Sequence, residues 1–163
     1  MRPLKKLCCT LLVSLLCLSF VTPALAASTP GFQAFTKTNL GAYEKFTDID
    51  QSKWYGSSKQ GVIKTACELN ILNGMSPTKF DPEGTLRLNE AVKIACVIHA
   101  LYTGQADPLQ PGTGKHWADP YLAYAEANGI LQKDEFTNYD RPATRSEMAH
   151  IFAKSLPEDG LEK

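Results

Sequence analysis

A pattern of two helices joined by a loop occurs twice in this chain. The segment Asn70-Ile71-Leu72 corresponds to Gly129-Ile130-Leu131, 59 residues later, and Glu90 corresponds to Glu147, 57 residues later. One unit of this length has too small an apolar face to form a stable core alone, so neighbouring units bury their faces against one another. The sequence therefore predicts an all-α fold made of tandem helix–loop–helix repeats that share a core.

Helical spacing of the apolar residues places the elements within each unit. In the first unit it predicts helices from Val62 to Leu72 and from about Asn89 to Tyr102. Gly74 is well placed to cap the first of these helices in a left-handed conformation. In the second unit, Trp117 precedes an apolar run that ends at Leu131.

The last helix has the clearest local signature. Thr144 and Glu147 stand three residues apart at the head of an apolar-periodic run, which predicts a capping box. Arg145 lies between them without a capping role, so its guanidinium is free to face a ligand. A guanidinium at the positive end of a helix suits a carboxylate. The buried stripe of this helix is expected to contain Met148, Ile151, Phe152 and Leu156.

The first 26 residues have the organisation of a secretory signal peptide. Three basic residues form the head, residues 7–21 are almost wholly apolar, and Ala24-Leu25-Ala26 is a small-x-small cleavage site. The alternative, a retained membrane anchor, requires about 20 apolar residues, which is more than this run provides. We therefore expect a secreted protein, residues 27–163, with no membrane span after cleavage.

Cleavage changes the charge balance of the chain. The whole sequence has 17 Lys and Arg against 17 Asp and Glu, and the exported part has 14 against 17. This acidic excess disfavours binding to nucleic acid. The cysteines, histidines and acidic residues follow neither a zinc nor a calcium spacing, so no metal or other cofactor is expected. No catalytic constellation is apparent, so the prediction is a protein that is not an enzyme.

Two cysteines, Cys67 and Cys96, remain after the signal peptide is removed, and both lie on predicted helices. The exported compartment permits a disulfide between them. Burial as two small hydrophobic thiols is the alternative. The sequence leaves both interpretations open.

Four motifs, the last of which contains the capping box of Thr144 and Glu147, follow one another along the mature chain. They are Phe46-Thr47-Asp48-Ile49, Trp54-Tyr55, Asn73-Gly74 with Phe80 and Pro82, and Thr144-Arg145-Ser146-Glu147. In this order they resemble the motifs of S-layer homology (SLH) modules, which recur in surface proteins of bacteria with thick walls. On this resemblance the chain divides into a signal peptide (1–26), a lead-in arm (27–45), SLH repeat 1 (46–103), a linker (104–114), SLH repeat 2 (115–157) and a tail (158–163).

The resemblance implies a fold and a function. SLH modules usually occur in threes, form a pseudo-threefold prism of helices, and bind secondary cell-wall polysaccharide between repeats through acidic, often pyruvylated sugars. The expected ligand-binding residues are Arg145, Thr144, Asp48, Trp54 and Trp117. From the residues alone, Arg145 has the alternative role of a solvated or salt-bridged residue at a helix start, and Asp48 that of capping a turn. The two tryptophans have the alternative role of packing in the core or between repeats.

Two departures from the family pattern lead to a second hypothesis. Leu88 occupies the position in repeat 1 that Arg145 occupies in repeat 2, and the third repeat is missing, so the expected prism is incomplete. An incomplete prism leaves apolar surface that a second copy or another SLH protein would cover. The alternative function is therefore a structural or assembly protein that pairs with another surface protein without glycan binding.

Overall fold

The computed structural model describes residues 31–56, 59, 61–105 and 115–156. After a single 3₁₀ turn at Phe32–Ala34, this part of the chain forms four α-helices: α1 (Val62–Glu68), α2 (Leu88–Thr103), α3 (Asp119–Ala127) and α4 (Arg145–Ala153). The described residues contain no strand, only one isolated antiparallel bridge between Arg87 and Pro142. The expected all-α class is confirmed. The predicted signal peptide, most of the linker and the tail lie outside the described residues.

Helix α1 ends earlier than the apolar pattern predicts, at Glu68 and not at Leu72. Asn70 adopts a left-handed conformation with φ of 58°. The amide of Ile71 then donates to the carbonyl of Ala66 at 2.9 Å, which closes the helix as a Schellman motif. Gly74 is also left-handed, but it lies in the following loop and does not cap the helix, so that prediction was wrong.

Helix α3 ends in the same way at the corresponding position of the second unit. Gly129 has φ of 72°, and the amide of Ile130 donates to the carbonyl of Ala125 at 2.9 Å. Asn and Gly are the residues that adopt this conformation most readily, so different residues produce the same helix end. The first helices of the two units therefore end with the same backbone geometry, although the left-handed residue is Asn70 in one and Gly129 in the other.

The apolar side chains form two separate clusters. The larger one joins α2, α3, α4 and the turn after α3, and its buried members are Leu88, Val92, Ala95, Cys96, Ala100, Tyr121, Tyr124, Ala125, Ile130, Leu131 and Ile151. The smaller one joins α1 to the segment before it, and its buried members are Tyr43, Phe46, Ile49, Tyr55, Ile63 and Cys67. Helix α2 thus shares a core with the helices that follow it, whereas α1 packs on residues that precede it.

The cysteines occupy different clusters, and both thiols are free and buried. Burial raises the pKa of Cys96 to about 12 and also raises the pKa of Cys67. A disulfide between them is not formed, because each thiol is packed inside its own group of apolar side chains. The alternative of two small buried hydrophobes describes this structure.

The lead-in arm is bound to the ends of α1 and α2. The ammonium of Lys37 lies 2.8 Å from the carboxylate of Glu68, which is almost fully buried. The amides of Thr38 and Asn39 both donate to the carbonyl of Glu68 at 3.1 Å. Because this carbonyl lies at the open end of α1, the arm supplies hydrogen bonds that the helix lacks.

Candidate functional site

The beginning of α2 is joined to the segment that precedes α4. The amide of Leu88 donates to the carbonyl of Arg141 at 3.0 Å, and the amide of Asn89 donates to the carbonyl of Tyr139 at 2.9 Å. In return, the amide of Ala143 donates to the carbonyl of Leu86 at 3.0 Å. The first two of these bonds satisfy the N–H groups of Leu88 and Asn89, which have no partner within α2.

A polar contact adds His116 to the same junction. The side-chain amide of Asn89, itself almost fully buried, donates to Asp140 Oδ1 at 2.7 Å. His116 Nε2 lies 3.3 Å from the same oxygen. Since His116 Nδ1 accepts from the amide of Ala118, the neutral ring carries its proton on Nε2 and donates it to Asp140. This contact fixes the backbone next to Trp117.

An open groove lies beside this junction, with a volume of about 620 Å³. One wall is the loop between α1 and α2, the other includes the first two turns of α2, and Trp117 closes one side. Its described lining residues are Ile71, Leu72, Asn73, Gly74, Met75, Phe80, Asp81, Pro82, Gly84, Thr85, Leu86, Glu90, Lys93, Ile94 and Trp117. The groove therefore lies within the first helix–loop–helix unit, and Trp117 is its one described lining residue from the second unit.

Trp117, Tyr121 and Lys93 form a group at the α2 wall of this groove. The indole of Trp117, 44% exposed, packs edge to face on Tyr121 with ring centroids 6.0 Å apart. The ammonium of Lys93 lies 5.7 Å from the centroid of the Tyr121 ring. An apolar ring face with a neighbouring cation suits a sugar that carries an acidic group.

A second, apolar groove of about 340 Å³ adjoins the first, since Leu72, Phe80 and Pro82 line both. Trp54, 66% exposed, lies on its rim and packs edge to face on the buried Tyr55. Tyr55 in turn donates to Glu83 at 2.9 Å, and burial raises its pKa to about 12. The two tryptophans predicted from the sequence thus line two connected grooves.

Asp48 lies behind the groove wall. Its carboxylate accepts from the amide of Phe80 at 2.9 Å and from the amide of Asp81 at 2.8 Å. The bonds from Phe80 and Asp81 lower the pKa of Asp48. The structure thus places Asp48 in the turn-capping role that the sequence allowed, and its ligand role stays a prediction.

The capping box at the start of α4 is formed as predicted. The amide of Glu147 donates to Thr144 Oγ1 at 3.3 Å, and the amide of Thr144 donates to the Glu147 carboxylate at 2.8 Å. The guanidinium of Arg141 donates two hydrogen bonds to the same carboxylate, of 2.9 and 2.5 Å. These bonds contribute most to lowering the pKa of Glu147 to about 2. The hydroxyl of Thr144 is therefore engaged in the cap.

Arg145 is exposed at the first position of α4 and forms no hydrogen bond or ion pair with another described residue. It does not line either groove. Its counterpart Leu88 has no exposed surface and belongs to the larger cluster. The two signature positions thus have opposite environments, and the ligand role of Arg145 stays a prediction.

The groove contains charged residues that no motif indicated. Lys93, Asp81 and Glu90 are its charged lining residues in the part of the chain that the structure describes. Asp81 follows Phe80 in sequence, and its left-handed backbone, with φ of 62°, is a local feature that the sequence does not reveal. Lys93 lies one helical turn after Glu90, so the helical spacing of the second predicted helix was the one available indication.

The described residues contain no group of three or more potential metal ligands. Within the same ranges, no helix has the length and apolar character needed to cross a bilayer.

The chain is similar to two curated bacterial proteins. Over 119 residues, 68% of this chain, it is 31% identical to the surface-layer 125 kDa protein of Lysinibacillus sphaericus, and the match covers 10% of that protein. Over 115 residues, 69% of this chain, it is 27% identical to an uncharacterised cell wall amidase of Bacillus anthracis, and that match covers 21%. No family model matches the chain, and no solved structure does so. The chain thus spans about a tenth and about a fifth of these relatives, which are proteins of the bacterial surface and cell wall.

Proposed function

We propose that this protein is a secreted, non-catalytic SLH-type module that attaches to the bacterial cell wall. Its ligand is a secondary cell-wall polysaccharide, an acidic glycan of the kind that carries pyruvylated sugars. The similarity to a surface-layer protein supports the location. The observation that carries the binding function is the groove between the α1–α2 loop and α2, which combines the exposed Trp117 of the second unit with Lys93 of the first.

The shape of the surface supports binding of a polymer. The two grooves share Leu72, Phe80 and Pro82 in their lining, and each has one exposed tryptophan, Trp54 in the smaller groove and Trp117 in the larger. Aromatic side chains present large apolar areas against which sugar rings pack. In this proposal Arg145, exposed and without a described partner, contacts a neighbouring part of the same polymer.

Co-sedimentation with purified cell-wall sacculi tests this function. The exported protein, residues 27–163, is mixed with sacculi before and after acid removal of secondary polymers, and Arg145→Ala and Trp117→Ala are compared with it. We expect pelleting that requires the polymer and that decreases in both variants. A protein that stays in the supernatant with untreated sacculi would contradict wall binding.

A second candidate function is assembly with another surface protein. It is favoured by the apolar groove below Trp54, and by the burial of Leu88 where the SLH signature has an arginine. In this case a second copy of the chain or another SLH protein packs against this apolar groove. Sedimentation equilibrium distinguishes the two functions, because assembly requires a complex in the absence of any glycan.

A further inference from the structure

We propose that Lys93 is the residue that recognises the acidic group of the glycan, and that the groove accepts a sugar with one carboxylate. The inference rests on the proposed function, because it assigns the ligand chemistry of the same groove. It differs from the signature-based expectation, in which Arg145 performs this task.

The position of Lys93 is the first argument. Lys93 lies on the second turn of α2, is half-buried and lines the groove, whereas neither Arg145 nor Arg87 lines it. Among the described lining residues it is therefore the one cation. No ion pair with a described residue occupies its ammonium, which lies over the Tyr121 ring.

The second argument is the set of acidic residues that face the same groove. Asp81 and Glu90 line the groove together with Lys93, so its described lining contains two carboxylates and one ammonium. Glu90 is already engaged, since its Oε2 accepts from the amide of Arg87 at 2.7 Å. The carboxylate of Asp81 is exposed and suited to accept hydrogen bonds from sugar hydroxyls.

This charge arrangement determines which ligands fit. One carboxylate on the sugar pairs with Lys93, and the hydroxyl-bearing edge of the ring faces Asp81. A second negative charge on the same sugar would lie close to Asp81 or Glu90, where repulsion between like charges disfavours it. The apolar face of the ring packs on Trp117, whose neighbour Tyr121 also contacts Lys93.

The test measures sacculus binding of four proteins: the wild type, Lys93→Gln, Lys93→Arg and Lys133→Gln. Lys133 is an exposed lysine outside both grooves and serves as the matched control. We expect Lys93→Gln to weaken binding about tenfold, the size of effect typical of losing one charged hydrogen bond. Lys93→Arg should retain most of the binding, and Lys133→Gln should not differ from the wild type.

A second measurement does not depend on any variant. Methyl β-glucuronide and methyl β-glucoside differ by one carboxylate, and NMR titration of the wild-type protein compares them directly. We expect tighter binding of the glucuronide, with the largest shifts at Trp117 and Lys93.

The outcomes separate this inference from the proposed function. If the wild-type protein does not bind sacculi, the proposed function fails. If it binds and Lys93→Gln binds equally well, or if the glucuronide has no advantage over the glucoside, the role of Lys93 is overturned while wall binding stands. Thermal melting of Lys93→Gln shows whether a loss of binding comes with a loss of folding, and in that case the glucuronide preference of the wild type decides.

Discussion

The carboxylate of Asp48 accepts hydrogen bonds from two consecutive backbone N–H groups 32 and 33 residues later. Because the amide of Phe80 belongs to the groove wall, Asp48 supports the candidate site without lining it. The Phe-x-Asp motif that ends at Asp48 and the Phe-x-Pro motif that begins at Phe80 are therefore joined by these hydrogen bonds. Their occurrence in the same chain has a structural reason that is independent of any ligand.

We predict that Asp48→Ala destabilises the protein in a pH-dependent way. The pKa of Asp48 is lowered from its ordinary value of 3.8, so its stabilising effect is present above that value and is lost as the pH falls through the lower folded-state pKa. The difference in melting temperature between wild type and variant should therefore be large at neutral pH and shrink as the pH is lowered below 3.8. Asp50→Ala is the comparison variant: the pKa of Asp50 is also lowered, but by bonds to the nearby Ser52 and not to a distant segment, so its loss should lower the melting temperature less at neutral pH. A difference that does not change with pH would contradict this role.

Gly74 gives a second residue-scale prediction. It has φ of 77°, and a Cβ there would collide with the Phe46 ring and lie 2.9 Å from the carbonyl oxygen of Lys79. Gly74→Ala should lower the free energy of unfolding by about 2 to 4 kcal/mol, from left-handed strain and overpacking together. Gly129→Ala is the matched control, since its φ is 72° but no atom lies within 4 Å of the added Cβ. It should cost about 1 to 2 kcal/mol, from strain alone. Urea unfolding of both variants measures the difference, and equal losses would exclude the collision.

Sequence reasoning found some of the site residues and missed others for identifiable reasons. The capping box of Thr144 and Glu147 was predictable because both bonds are local in the chain. Asp48 had two open roles, since its partners are distant in sequence. Lys93 was missed because a lone lysine on a helix belongs to no motif, and only the fold brings it next to Trp117.

At the scale of elements, helix existence followed from apolar periodicity, whereas helix ends depended on single backbone conformations. The pattern predicted α1 to continue to Leu72, because apolar residues keep helical spacing up to that point. Asn70 ends it through a left-handed conformation. This residue is compatible with a helix interior, so the sequence did not reveal the end, whereas the glycine at the end of α3 is a stronger stop.

The first turns of α2 and α4 differ in what they bury, and this gives a prediction. Leu88 has no exposed surface, and an arginine there would bring an unpaired charge into the larger cluster. Leu88→Arg, which places at this position the residue found at Arg145 in the second unit, should therefore lower the free energy of unfolding by roughly 3 to 5 kcal/mol and create no second binding site.

The reciprocal change, Arg145→Leu, is the matched control. Because Arg145 is exposed, the substitution should change the free energy of unfolding by less than about 0.5 kcal/mol. Chemical denaturation compares the two variants with the wild type. A Leu88→Arg protein with wild-type stability and increased sacculus binding would contradict this prediction, because it would show that the first unit accommodates an arginine there and uses it for binding.

At the scale of the whole molecule, the apolar residues divide into two clusters that the repeat pattern did not predict. The pattern indicated two units that share one core. In the structure α2 joins the larger cluster with α3 and α4, and α1 forms the smaller one with residues 43–55. The lead-in arm, about which the sequence said little, contacts both α1 and α2 through Glu68 and Tyr102. These contacts are long-range, and no local pattern encodes them.

One free thiol lies in each cluster, and this arrangement makes cluster opening measurable. Cys67 belongs to the smaller cluster and Cys96 to the larger one, and residues 27–163 contain no other cysteine. Both thiols are buried, so a labelling reagent reaches each one only when its own cluster opens. Reductant should leave the melting temperature unchanged, because neither cysteine forms a disulfide.

We predict that Cys67 is labelled faster than Cys96 under native conditions. The smaller cluster has six buried members against eleven in the larger one, so its opening exposes less apolar surface and costs less free energy. Labelling of Cys67→Ala and Cys96→Ala variants, read by intact mass, gives the two rates separately, and a quench in denaturant confirms that both thiols react when exposed. Faster labelling of Cys67 than of Cys96 would mean that α1 and its groove wall open while the helices around α2 stay folded. Equal rates would mean that the two clusters unfold as one cooperative unit, and the groove between them would then be as stable as the core.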